Sequence, residues 1–422
     1  MAFKHKENRK RKSSHTKRRH RVVVAVLKPA ARVLFYFLRK FKAERFKSPD
    51  KKQAYLVLAN HTANLDPVLL SLSFSFPIYF VASDNLFRLG FISRLLTFLT
   101  APVPIVKSRM DSDTIRTVLK VKKEGGSIGL FPEGNRCYNG VTGHFPPSTG
   151  KLLKLLGLPV LFYTLEGGYL SDPRWGDKAR RGPMKGRVSG QLSAEAVKSL
   201  SADALNIIIK DRLKVDAYEA QRHTKALYKG LNKAQYLERV LFICPSCKGL
   251  AGLKSQGDEF LCGCGYKVHY TAQGFFEAEP EKPLYFDSVL DWDLWQRKTL
   301  VQWVEADEGA CVSDTARLWF SDEEERLYLY EKGKKPQIEG VGRLSFYSNR
   351  LQLKEKGSLR SFYFKDIVRM SLWGKQVLQF STTDGRDYEF KSDRPRSSYK
   401  YMALYNVIEQ KRKGMDYGFF GI

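Results

Sequence analysis

The sequence predicts an α/β fold with a largely parallel sheet, followed by a small four-cysteine ribbon and a β-rich C-terminal region. Three observations carry this. Between residues 51 and 200, apolar runs of strand length alternate with amphipathic helical runs, the pattern of successive βαβ units. Four of the six cysteines fall between Cys244 and Cys264. After residue 277 the chain turns to short runs rich in aromatic and β-branched residues at hairpin spacing.

The chain opens with charge. Residues 1–53 hold nineteen Lys and Arg against Glu7, Glu44 and Asp50, so +16 of the net +28 lies in one eighth of the length. A localised basic excess points to an anionic surface, either nucleic acid or an acidic membrane leaflet. Residues 4–21 are almost purely basic and are expected to be disordered alone. From Pro29 the pattern turns helical: Ala30, Val33, Leu34, Phe37 and Phe41 share one face, and Lys28, Arg32, Arg39, Lys40 and Lys42 the other. Basic residues opposite Phe and Leu make an interfacial helix, although a helix packed on the domain behind it reads the same way. No stretch reaches the ~20 apolar residues that span a bilayer. The longest uncharged run, 67–83, contains four serines and Pro77. The apolar run 22–27 is too short for a secretory signal. The expectation is a peripheral protein on the cytoplasmic face of an anionic membrane, with no transmembrane helix.

The α/β elements follow in order. Strands are expected at 54–60, 78–83, 103–106, 127–134 and 159–166, and helices at 67–75, 91–100, 112–125 and 149–157. Residues 201–240 read as helical. Cys244-Pro-Ser-Cys247 and Cys262-Gly-Cys264 then supply two thiolate pairs on tight turns, a spacing that suits a structural four-sulfur Zn²⁺ site. The second pair is Cys-x-Cys where Cys-x-x-Cys is usual, and His269 is an alternate ligand. Cys137 and Cys311 lie outside the cluster. Strand-like runs at 316–321, 326–332, 342–348, 350–356, 361–373, 376–385 and 387–392 precede a helical run at 398–412. Hairpin-spaced strands closed by one amphipathic helix look like a pleckstrin-homology-type domain, on element order alone.

Chemistry concentrates at the expected strand ends. His61 directly follows the strand 54–60, where open α/β sheets place their ligands. Asp66, five residues on, opens the next helix before Pro67 and suits an N-cap. On a turn it also reaches the imidazole, fixing the tautomer and freeing the other nitrogen as a base. Such a pair alone is common by chance. The stretch Leu130-Phe-Pro-Glu-Gly-Asn-Arg136 ends another strand, so that Glu133-Gly134 turns the chain and delivers Arg136, a fork for phosphate, to the same edge. Glu133 is positioned to hold Arg136 or a neighbouring amide. Lys107 and Arg109 follow a third strand end, and Arg174, Arg180 and Arg181 add further cations. Cations gathered past several strand ends imply an anionic substrate.

These blocks together resemble the glycerolipid acyltransferases of the 1-acylglycerol-3-phosphate (lysophosphatidic acid) type. Asn60-His61-x₄-Asp66 matches the first block of that family, and Ala101–Lys107 resembles the second. Phe131-Pro-Glu-Gly-Asn-Arg136 is close to the third, and Leu158-Pro-Val160 resembles the fourth. All occur in the family's order within residues 50–200. Lys107 stands where Arg is usual in the second block, so the phosphate role is divided between Lys107 and Arg109. Asn135 and Cys137 replace the usual Thr and Ser of the third. The resemblance implies transfer of a fatty acyl group from acyl-CoA or acyl-carrier protein to the sn-2 hydroxyl of 1-acylglycerol-3-phosphate, forming phosphatidic acid. His61 and Asp66 would be catalytic, and Arg136, helped by Glu133, the Gly134 amide and Lys107 or Arg109, would bind phosphate. Another lysolipid acceptor fits the same blocks. A basic zinc-ribbon nucleic-acid-binding protein fits the tail and ribbon but leaves the four blocks without a role.

The expected organisation is a basic tail and surface helix (1–50), a catalytic domain (51–200), a helical connector (201–240), a zinc ribbon (241–275) and a β-rich domain with its terminal helix (276–422).

Overall fold

The computed structural model describes residues 14–83, 91–105, 112–307, 316–331 and 336–414; Lys107, Arg109 and Cys311 lie outside them. The first part of the chain runs α1 (Arg18–Arg39), β1 (Phe41–Ala43), β2 (Leu56–Ala59), α2 (Asp66–Ser71), β3 (Ile78–Ser83), α3 (Phe91–Thr100), β4 (Val103–Ile105), α4 (Ser112–Lys123) and β5 (Ser127–Leu130). It continues with α5 (Ser148–Leu156), β6 (Val160–Glu166), α6 (Gly168–Ser171), β7 (Met184–Leu192), α7 (Ala194–Ser199), α8 (Ala202–Arg212) and α9 (Ala217–Thr224). The seven strands form one sheet in the order β1-β7-β6-β2-β5-β3-β4. Every neighbour pair is parallel except β6 with β7.

Both faces of this sheet are covered, which is why its strands read as unbroken apolar runs. Leu56 and Leu58 of β2 pack with Ile128, Val160 and Phe162 against α4, α5 and α8. Val57 and Ala59 point the other way, with Phe80, Leu161 and Tyr163, against α2 and Phe41. The gap in the expectation is β7. Its sequence, MKGRVSGQL, carries two glycines and charged residues because it is only partly buried, so no alternation announces it.

The N-terminal helix differs from the expectation in start and end. It begins at Arg18, not Pro29, and carries Pro29 inside it on the exposed side. Residues 14–17 are tied down rather than free: Ser14 Oγ and the Thr16 amide donate to Glu124 Oε2 at 2.8 and 2.7 Å. His20 meets the Tyr79 hydroxyl at 3.1 Å. Lys40 ends the helix in the left-handed conformation, so Phe41 belongs to β1 and is buried beside Met184 instead of extending the apolar stripe.

The connector is only partly helical. After α9 the chain runs irregularly to a short 3₁₀ turn at Leu237–Arg239. A small antiparallel sheet follows, ordered β11-β10-β9-β8, from β8 (Leu253–Gln256), β9 (Glu259–Cys262), β10 (Lys267–Tyr270) and β11 (Phe276–Glu277). An unexpected helix, α10 (Val289–Ala306), stands before the β-rich part. Its buried side carries Asp293 and Gln296 among Trp292 and Leu300, and these polar residues disguise the apolar period. Gln296 is satisfied there: it accepts from the Phe242 amide at 3.0 Å and donates to the Val240 carbonyl at 2.7 Å.

The last part holds β12 (Leu318–Tyr330), β13 (Gln337–Tyr347), β14 (Arg350–Glu355), β15 (Ser358–Tyr363), β16 (Ile367–Trp373), β17 (Val377–Thr382), β18 (Asp387–Lys391) and α11 (Ser398–Lys413). These strands form one antiparallel array, β15-β14-β13-β12-β18-β17-β16. A turn at Phe364–Asp366 splits the single expected run 361–373 into β15 and β16. A single apolar cluster extends from Cys137, Tyr169 and Trp175 through Phe242 and Trp292 to Tyr399 and Ile408, so the C-terminal parts share a core with the loops behind the first sheet.

Candidate active site and metal centre

The site forms where β2 and β5 end side by side. Asn60 closes β2 by clamping β6: its Nδ2 donates to the Leu165 carbonyl at 2.9 Å, and its Oδ1 accepts from the Leu165 amide at 2.8 Å. His61 comes next, its side chain 19% exposed, with its ring stacked on Phe131 at a 4.5 Å centroid separation. Its Nδ1 lies 2.9 Å from Asp66 Oδ2. An ionised carboxylate only accepts, so Nδ1 carries the proton and Nε2 keeps its lone pair.

Asp66 does not cap α2. The N-cap is Leu65, without a side-chain bond, and Asp66 is the first helical residue. Its fully buried carboxylate turns back onto the preceding loop, where Oδ2 accepts from the Thr62 and Ala63 amides at 2.5 and 2.8 Å. Those bonds fold the 61–66 turn so that the imidazole reaches the same oxygen. Glu133 supports the turn from β5. Its Oε1 accepts from the His61 amide and its Oε2 from the Gly143 amide, each at 2.6 Å. Burial pushes the Glu133 carboxyl up to about 8, against the pull of those two N–H bonds. Glu133 thus turns to the His61 backbone and not to Arg136.

Arg136 is buried and lines the same cavity as His61, and its Nη1 has no hydrogen-bond partner among the described residues. A buried guanidinium N–H without an acceptor is costly, and an anion at this point satisfies it. Gly134 makes the turn with φ of 67°, a glycine conformation. Its amide donates to the Phe131 carbonyl at 3.0 Å, so the expected use of that amide for phosphate does not hold. Lys107 and Arg109 lie outside the described residues. Of the three further arginines only Arg174 lines the cavity. Arg180 is buried over Trp175 and Tyr270, and Arg181 is exposed with its Nε on the Phe37 carbonyl.

The cavity measures about 1120 Å³ and has two characters. One set of its lining side chains is apolar, among them Val24, Leu27, Ile78, Phe80 and Leu152. The other is polar, holding Arg136, Arg174 and side chains from the C-terminal array. Asn60 and Phe131 are the site residues to which the motifs gave no role of their own. Asn60 precedes the histidine and Phe131 heads the Phe-Pro-Glu-Gly turn, so position beside the motifs was their only signal.

The ribbon cysteines come together. The sulfurs of Cys244, Cys247, Cys262 and Cys264 all lie within 4.8 Å of one another. The Cys244–Cys264 and Cys247–Cys262 pairs are 3.8 Å apart. Tetrahedral thiolates at a Zn–S distance of ~2.3 Å stand about 3.8 Å apart, so the set fits a metal ion of that kind. His269 is not in this group; its Nδ1 pairs with Glu259 at 2.9 Å.

Residues 38–163, which hold both strand-end motifs, match the family described as Acyltransferase. Over 127 residues the chain is 31% identical to the 1-acyl-sn-glycerol-3-phosphate acyltransferase of Borreliella burgdorferi, covering 29% of this chain and 50% of that protein. Over 135 residues it is 28% identical to the chloroplastic 1-acyl-sn-glycerol-3-phosphate acyltransferase LPAT1 of Arabidopsis thaliana, covering 32% of this chain and 37% of that protein. The chain thus spans half or less of the length of these relatives. Among solved structures, the 1-acyl-sn-glycerophosphate (LPA) acyltransferase PlsC from Thermotoga maritima is similar over 50% of this chain and 83% of that chain, at 18% identity and a TM-score of 0.40. The segment that carries the site is thus similar to acyltransferases, and the relatives it resembles are named as 1-acyl-sn-glycerol-3-phosphate acyltransferases.

Proposed function

We propose that this chain is a 1-acylglycerol-3-phosphate O-acyltransferase, moving a fatty acyl group from acyl-CoA or acyl-carrier protein to the sn-2 hydroxyl of the lysolipid. The observation that carries the reading is the pairing of His61 with buried Asp66 in the same cavity as the unpartnered Arg136 N–H. His61 Nε2 takes the hydroxyl proton as the acceptor oxygen attacks the thioester carbonyl. The C–S bond breaks, the imidazolium returns the proton to the departing thiolate, and the ester and a free thiol leave. Asp66 holds the imidazolium's other proton throughout. Arg136 binds the glycerol phosphate, and the second-block role stays with Lys107 or Arg109. Glu133 keeps the His61 turn in place rather than touching phosphate. No protein nucleophile is needed, since the substrate alcohol attacks directly.

The same reading gives the protein a peripheral seat on an anionic membrane. On α1 two basic residues turn inward: Lys28 Nζ donates to the Phe74 carbonyl at 2.7 Å and Arg32 Nε to the Leu72 carbonyl at 2.8 Å. Val22, Val26, Val33 and Phe37 are left exposed on the opposite side, an arrangement that suits lipid. Among the described residues no helix is long and apolar enough to cross a membrane. The four cysteines hold a structural Zn²⁺, and the C-terminal array with α11 fits a pleckstrin-homology-like domain by strand order. The expected division of the chain into tail, catalytic domain, connector, ribbon and β-rich domain is kept as part of this proposal.

The deciding measurement is lysolipid-dependent thiol release from acyl-CoA, with products read by mass spectrometry. His61→Ala is expected to lower kcat by about 10²–10⁴-fold, the usual share of a positioned general base, while thermal stability is retained. Near wild-type turnover in that variant refutes the mechanism.

A further inference from the structure

The cavity does not end at the part of the chain that carries the acyltransferase match; its far wall is the C-terminal sheet. Arg369 and Ser371 of β16, Gln379 and Ser381 of β17, and Asp387 and Glu389 of β18 line the same space as His61 and Arg136. The register sets Arg369 opposite Ser381, Ser371 opposite Gln379, Gln379 opposite Glu389 and Ser381 opposite Asp387. Strand alternation therefore collects all six on one face, while Met370, Leu378 and Phe390 of the other face are buried in the core.

This wall is locked to the phosphate end of the site. The Arg174 guanidinium donates to the carbonyls of Gly374 at 3.0 Å, Leu372 at 3.2 Å and Arg136 at 3.2 Å, joining the end of β16 to the Arg136 backbone. The same guanidinium lies 4.0 Å over the Tyr138 ring, whose other face stacks on Tyr399 of α11 at 4.6 Å. Asn139 Nδ2 donates to Asp293 Oδ2 of α10 at 2.8 Å. Tyr138 and Asn139, just after Arg136, are thus held by the C-terminal parts, and the Arg136 carbonyl is tied to them through Arg174.

We propose that this wall is a headgroup subsite, and that the protein accepts lysophospholipids whose phosphate is a diester to a polyhydroxyl headgroup. The inference rests on the acyl-transfer reading above and names its acceptor class. With the phosphate at Arg136, whatever the phosphate carries extends toward the wall. Within the wall Gln379 Nε2 donates to Glu389 Oε1 at 2.8 Å and Ser381 Oγ to Asp387 Oδ1 at 2.6 Å, bonds that fix these side chains. The second amide N–H and the amide and hydroxyl oxygens, with Trp373 and Tyr330 also lining the space, are the mixture that hydrogen-bonds hydroxyls and covers C–H faces. Its charges offset one another: Lys391 pairs with Glu389 at 2.7 Å, and Arg369 stands with Asp387 on the same face. A neutral wall gives little grip on a second phosphate. A cation already stands beside the lining Trp373: Lys391 Nζ lies 5.8 Å from that ring centroid and 4.4 Å over Tyr328, so a quaternary ammonium there meets like charge. An uncharged polyol matches what is left.

The test offers the full-length protein, in mixed micelles with palmitoyl-CoA, a panel of lysophosphatidate, lysophosphatidylglycerol, lysophosphatidylinositol and lysophosphatidylcholine. The expected kcat/KM on at least one polyol diester exceeds that on the choline lipid about tenfold or more. The double variant Gln379→Ala/Ser381→Ala is expected to lower it about tenfold on the polyol diester and to leave lysophosphatidate unchanged. Ser371→Phe, which fills the subsite by bulk, is expected to show the same selectivity. Equal losses on every acceptor, or transfer to lysophosphatidate alone, overturn the subsite and leave the acyl-transfer reading standing. No transfer to any acceptor overturns both.

Discussion

Asp66 and Glu133 are two carboxylates buried on either side of one histidine, and their surroundings give them different tasks. Asp66 Oδ2 gathers the Thr62 and Ala63 amides and His61 Nδ1, donors that hold a negative charge in place. Glu133 takes two backbone amides yet is pushed up to about 8 by burial, with the neighbouring Asp66 adding to the rise. An acid raised in the folded state holds a proton there that the unfolded chain has released. Its stabilising contribution is complete below about 4.5 and is lost as pH rises toward about 8. The melting temperature of the wild type, measured relative to Glu133→Gln, should therefore fall across that window and level off above it. A flat difference would mean that the two amides keep Glu133 ionised throughout. At this scale the motifs were legible because a base, its carboxylate and a guanidinium need those residue types at strand ends. The direction of the Asp66 carboxylate was not, since Asp-Pro at a helix start is written identically for a cap and for a loop staple.

Elements were legible where one side faces a core and the other faces water. Helices α4 and α5 fall close to their expected bounds for that reason, while strands β3 and β6 were legible as unbroken apolar runs because both faces of their sheet are covered. Helix α10 and strand β7 were not, because buried polar residues in one and glycines in the other remove the period. Helix α1 shows an inverse case: its amphipathicity was plain, but which side met the protein depended on the Phe74 and Leu72 carbonyls that receive Lys28 and Arg32. Burying a large apolar side chain is worth ~1.5–3 kcal/mol. Val26→Glu combined with Phe37→Glu should thus weaken co-sedimentation with anionic vesicles at least about tenfold. Unchanged binding would place the anchor elsewhere. In the ribbon, Cys244→Ser should lose bound zinc by elemental analysis and raise proteolytic sensitivity around 242–270. Zinc content equal to the wild type would refute the four-sulfur site.

At the scale of the molecule, the C-terminal parts are continuous with the part of the chain that carries the acyltransferase match. Tyr138 is held between Arg174 and Tyr399, Asn139 bonds Asp293, and one apolar cluster joins Trp175 to Ile408. A chain ending at residue 240 would leave Tyr169, Trp175 and Tyr218 without much of their packing and Arg174 without the Leu372 and Gly374 carbonyls. It should lose its cooperative thermal transition and its acyl transfer. A truncated protein that melts sharply and turns over like the full chain would contradict this.

The sequence by itself determined the local chemistry: the strand-end motifs, the four thiolates, the basic N-terminus and the strand-helix alternation, each written in neighbouring residues. Only the tertiary structure decided that Glu133 serves the histidine's backbone, which side of α1 stays bare, and that the C-terminal sheet walls the cavity. Those outcomes depend on contacts between residues up to about two hundred positions apart, such as Arg174 with Gly374, and no local pattern encodes such a meeting.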